Sequence, residues 1–294
     1  MFQLPTIERY LFLGIVILSA IASVLAHVQV ARDGVKFRGL LAALTSVQIT
    51  LGVVVLILRA VAVKTLPING VFESMLILMV FIGIMFLFLS AVMRQVWFSS
   101  VTVWVLFGLA LLAAVVAKPA SVLQEAARTP WVIVHALSMS LAGAMIVFAA
   151  AISVLFLWSR QRLKSRHFLM LLGKMPTLET LERLNLLGLR LSFAAMTCGL
   201  VSGIGLVAVK SAGLGMTLGD WLTDSKIVLI AVAWTALLCI LILRRVLAMG
   251  GKAVAQAALV ICFLILFAFI GSKVFCKSGH DFESKPATPE SQVQ

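Results

Sequence analysis

Eight stretches of roughly 20 apolar residues run through this 294-residue chain, and each is long enough to cross the hydrocarbon core of a bilayer as a helix. They fall at about 10–29, 40–63, 72–93, 101–117, 131–158, 187–209, 226–244 and 253–275. None alternates apolar and polar residues with a period of two, so a closed barrel is excluded and an all-α polytopic membrane helix bundle is predicted. The composition agrees: 62% of residues are hydrophobic and 12% charged, which leaves too little charge to cover a water-facing surface. Four cysteines are too few for a disulfide scaffold, and the apolar excess excludes disorder.

Lysine and arginine counting predicts the orientation. Fourteen of the 24 basic residues fall in the loops after spans one, three, five and seven, with only three acids: Asp33, Glu179 and Glu182. The positive-inside rule puts those loops in the cytoplasm and both termini outside it, in the plasma (inner) membrane. Small residues at Ala20, Ala22 and Ala26 resemble a signal-peptide end, but Arg32, Lys36 and Arg38 follow and favour an uncleaved anchor. The net charge of +13 is that of orienting loops meeting anionic lipid, and no basic run with interleaved aromatics suits nucleic acid. Three segments are expected: residues 1–39 with the first span and its loop, a membrane domain over 40–275, and a polar extracytoplasmic tail over 276–294. Thr177, Glu179, Glu182 and the leucines at 178, 181 and 184 predict a short capped amphipathic helix on the cytoplasmic face. No internal repeat of the transporter kind is evident.

Walker-type, HExxH and paired CxxC motifs are absent. Cys198, Cys239 and Cys262 lie within spans and read as small packing residues. Among four histidines, His27 and His167 read as interfacial. His135, one turn into span five, and His280, five residues past span eight, fall on the same outer face by the parity of eight spans. Two neutral imidazoles there could ligate a haem iron axially; otherwise His135 bonds a neighbouring helix and His280 belongs to the tail. Glu73 opens span three and Asp224 with Lys226 opens span seven, as end-markers or as parts of a site. The loop 210–225 adds Gly213, Gly215, Gly219 and Trp221, a combination that suits either a flat ligand or an interfacial belt.

At these positions the chain resembles the cytochrome c assembly protein family (the CcsA/HemX type). Arg59, then Pro67, Asn69, Phe72, Glu73 and Ser74, is similar to the family's Arg…Pro-x-x-Asn-x-Tyr-Glu-Ser segment, with the Asn shifted by one place and Phe for Tyr. The stretch from Trp131 to His135 resembles the segment bearing the family's first external haem-ligand histidine. Lys164 and the stretch from Met175 to Leu184 resemble its cytoplasmic connector, and the run from Phe267 to His280 its closing segment with the second histidine. The departures are specific. Of the Trp-rich loop ending Trp-Asp-Pro-Lys only Trp221, Asp224 and Lys226 match, and the histidines that haem-exporting members carry in spans two and seven are missing, with Ile242 near the latter position. The pattern is closer to the HemX-like branch.

The resemblance implies a haem-binding membrane factor for cytochrome c maturation, handling haem at the extracytoplasmic face rather than acting as an ordinary enzyme. It implies haem, transiently bound, as cofactor, with His135 and His280 as axial iron ligands, Trp221 stacked on the macrocycle, Asp224 in the same loop, and Arg128 or Lys226 facing propionates. A second assembly protein and apocytochrome c are the implied partners, with the lipid bilayer around the chain and no nucleic acid. Two other readings stand beside it: a regulator or scaffold of haem biosynthesis acting through the basic loop 159–186, and a haem-free transporter on a related scaffold.

Overall fold

The structure, a computed structural model, describes residues 4–31, 37–63, 71–92, 96–116, 130–164, 177–214 and 224–268. Among them are eight helices: α1 (Thr6–Ala31), α2 (Arg38–Val63), α3 (Val71–Val92), α4 (Val96–Val116), α5 (Pro130–Lys164), α6 (Leu178–Leu214), α7 (Ser225–Val246) and α8 (Gly251–Leu266). No strand occurs among the described residues. Six of the helices are long and apolar enough to cross a membrane; the apolar stretches Ser100–Val115 of α4 and Gly251–Leu266 of α8 are shorter. The protein is an all-α polytopic membrane bundle, as its apolar runs require.

The helices close into two rings. In the first, α1 packs on α2 and α4, and α3 packs on α2 and α4; in the second, α5 packs on α6 and α8, and α7 on α6 and α8. The rings meet chiefly where α3 lies against α5. Lipid tails are as apolar as leucine, so burial alone does not hold such helices together, and close backbone approach has to. The α5–α6 pair achieves it with small residues. Ala142, Ala144 and Ala149 on α5 are buried, and Gly188 of α6 lies so close that an added Cβ would stand 3.1 Å from the Ala149 methyl. Through this stretch α5 is buried on all sides and forms the core of the second ring.

The predicted amphipathic helix on the cytoplasmic face is not a separate element. Residues 178–184 are the first two turns of α6, continuous with the sixth span. Thr177 caps that helix as its sequence predicts, its Oγ1 accepting from the Thr180 amide at 3.2 Å. The leucine stripe belongs to the interior: Leu181 is fully buried, against a cluster that includes Phe148, Leu155 and Phe156 of α5. At about 1.5 Å per residue, α5 and α6 both exceed 50 Å and outreach the hydrocarbon core. Their overhanging ends pack together, which explains charges and leucines alternating there. Nearby, Glu182 pairs with Arg244 of α7, and Arg244 also donates to the Met249 carbonyl in the short turn before α8.

Among the three described cysteines, the packing reading holds for one, and Cys276 lies outside the described residues. Cys262 is buried, whereas Cys198 and Cys239 are exposed on the bundle surface, where an apolar thiol suits lipid contact equally well.

Candidate functional site

One end of the molecule gathers the residues that the sequence marks as costly in a membrane. A small apolar cluster ties it together across both rings: Ile77 of α3, Val132 of α5 and Leu206 of α6 are buried together, with Leu56 of α2 and Ile133 and Ala136 of α5 against them. His135 sits at the level of this cluster on α5, between Ile133 and Ala136.

Three α6 glycines set the position of His135. Facing the stripe Trp131, His135 and Met139 on α5 are Gly205, Gly203 and Gly199, and a Cβ on each would stand 2.8 Å from the Trp131 ring, 3.1 Å from His135 Nδ1 and 2.5 Å from Met139 Sδ. The helix backbone therefore comes within reach of the imidazole, and His135 Nδ1 lies 2.7 Å from the Gly199 carbonyl oxygen. A carbonyl only accepts, so Nδ1 carries the proton, and in the neutral ring Nε2 holds the lone pair. The same carbonyl, held within helix α6, also accepts from Ser202 Oγ at 3.0 Å. This is the arrangement that metal-binding histidines use, with one ring nitrogen committed to the protein and the other basic. An Nδ1 bond of this kind is compatible with a ligating histidine, and it is also the expected bond to a neighbouring helix.

Asp224 directly precedes α7, and its carbonyl accepts the first helical bond from the Val228 amide at 3.0 Å. It holds the N-cap position, where an acid is favoured by the helix dipole. His280, Trp221 and Arg128 lie outside the described residues, as does the side chain of Lys226. Among the described residues no group of three or more His, Cys, Asp or Glu comes together as a metal site.

Glu73 is resolved from end-marker to buried ion pair. It is fully buried, accepts from Arg59 Nε at 2.9 Å, and shares that guanidinium with Glu8 of α1, whose Oε2 is 3.5 Å from Arg59 Nη1. One arginine thus joins the ends of three helices, and Phe72 adds an edge contact to Phe12 with centroids 4.9 Å apart. Sequence reasoning paired Arg59 with Glu73 in one segment but missed Glu8, 51 positions away from Arg59; an acid in the first turn of an apolar helix was the available signal. It also missed Gly199 and Gly203, whose four-residue spacing is the usual mark of close helix approach in membranes.

The fold and these sites define a polytopic membrane protein with a tautomer-fixed histidine near one end of its second ring. A family model described as Cytochrome C assembly protein matches residues 68–280. The chain belongs to the cytochrome c assembly protein family, and its role lies in cytochrome c maturation. No curated protein matches the sequence.

Proposed function

We propose that this family member handles haem at the extracytoplasmic face, holding it between His135 and His280 and presenting it for cytochrome c maturation. The observation that carries the reading is the 2.7 Å contact from His135 Nδ1 to the Gly199 carbonyl, which orients the ring and leaves Nε2 as the basic nitrogen. Bound haem supplies the iron and the vinyl groups that a Cys-x-x-Cys-His segment of an apocytochrome takes up. The chain's own residues do the holding. Trp221 offers a stacking face, Arg128 or Lys226 a charge-assisted donor to propionates, and Asp224 caps the start of α7. The excess of Lys and Arg on the opposite loops supports an extracytoplasmic position for His135 and both termini, in the plasma (inner) membrane. A second assembly protein supplies the apocytochrome platform.

The test is the visible spectrum of the detergent-purified protein, wild type beside His135→Ala and His280→Ala. A Soret band with resolved α and β bands on reduction, lost or shifted in both variants, is the expected result. A colourless wild type that takes up no added hemin overturns the reading.

A further inference from the structure

We propose that the first ring holds a buried water molecule between α1, α2 and α3, bound by Thr45 and Gln48 of α2. The site lies apart from His135 and stands whether or not the protein binds haem.

The observation behind it is a pair of polar side chains placed where nothing polar meets them. Thr45 and Gln48 are 1% and 5% exposed, and neither Thr45 Oγ1 nor Gln48 Nε2 has a hydrogen-bond partner among the described residues. Buried polar groups at membrane depth are as a rule satisfied, because no bulk water reaches them. Thr45 is anomalous within its own chain. Seven other helical hydroxyls, those of Ser19, Ser46, Thr50, Ser153, Thr197, Ser202 and Thr235, fold back onto the carbonyl four residues earlier. Thr45 Oγ1 does not, and with Gln48 it lines a cavity.

That cavity is bounded by Ile15 of α1, Met79 and Gly83 of α3 and Leu106 of α4, with Gly52 beside the glutamine. It has room for about one water molecule, and three residues of separation put Thr45 and Gln48 on one face of α2. The two glycines narrow the seam around it: a Cβ on Gly83 would stand 2.7 Å from Ile49, and one on Gly52 3.2 Å from Val80. A single neutral molecule that both accepts and donates meets the need. Its oxygen accepts from Gln48 Nε2–H, and one of its hydrogens goes to Thr45 Oγ1. An ion is excluded by the apolar remainder of the lining. Fully buried Phe12 and Val55 lie between this level and the Glu8–Arg59–Glu73 cluster, so the site is an isolated structural water rather than part of a conducting file.

Radiolytic labelling of the full-length protein in nanodiscs tests this. Radicals formed from a bound water oxidise the side chain in contact with it. Met79 lines the cavity, whereas Met145 is buried in the core of the second ring. Met79 is expected to be oxidised at least several-fold faster than Met145 in the wild type. In the isosteric variant Thr45→Val with Gln48→Leu the Met79 rate should fall to that of Met145, with the melting temperature serving as the control for folding. Equal rates in the wild type overturn the proposal, as does an unchanged Met79 rate in the folded double variant. If the double variant does not fold, Thr45→Val alone and the wild-type comparison still decide it.

Discussion

Gly203 is where the site is most exposed to a single change. A methyl group there would stand 3.1 Å from His135 Nδ1 and 3.2 Å from Cε1, so the ring has to give by a few tenths of an ångström, which strains its bond to the Gly199 carbonyl. Losing the bond that orients a ligating histidine typically costs ten- to a hundredfold in affinity. If haem binds as proposed, Gly203→Ala should therefore weaken hemin binding by roughly tenfold in a spectral titration while the ligand itself is retained. Gly199→Ala sets its Cβ 2.5 Å from Met139 Sδ and 2.9 Å from Cγ, so Met139 has to repack while the carbonyl that meets His135 is kept. His135 was legible in the sequence because an imidazole within an apolar run is costly and stands out. Its partner was not, since a backbone carbonyl has no residue identity and only the packing of α5 on α6 selects Gly199 for the role.

Among the helices, the Glu8–Arg59–Glu73 cluster makes the sharpest energetic statement. All three side chains are buried, so removing the shared guanidinium leaves carboxylates in a medium that solvates them poorly. Arg59→Ala is expected to destabilise the protein by ~3–5 kcal/mol, read as a lowered melting temperature in detergent. Arg59→Lys should recover only part of this, because an ammonium lacks the fork that reaches two acids. At the other end, Thr177→Ala removes the α6 cap and should cost about 1 kcal/mol by the same assay. The capping residue and the leucine spacing of that helix were both readable in the sequence. Its continuity with the sixth span was not, because the polar Asn185 between them resembles a break between two elements. In the structure Asn185 is buried and donates to Ser153 Oγ of α5 at 2.9 Å, which carries α6 straight through.

At the scale of the whole molecule, two rings meet chiefly where α3 lies against α5, and the proposed orientation gives both termini the same side. A cysteine placed at position 292 in a cysteine-free background should be labelled in intact cells by a membrane-impermeant maleimide, and one placed at position 248 should not. Reversal of that pattern would invert the topology. Sequence alone determined the class of this protein, because a bilayer demands apolar runs of fixed length and forces their backbone into helices. It also determined which residues were too costly to be accidental. Only the tertiary structure decided what those residues do. Which acid meets Arg59, which carbonyl fixes the His135 tautomer, and which hydroxyl faces a cavity depend on distances between helices far apart in the chain. Those distances are set by where glycine and alanine let two backbones approach.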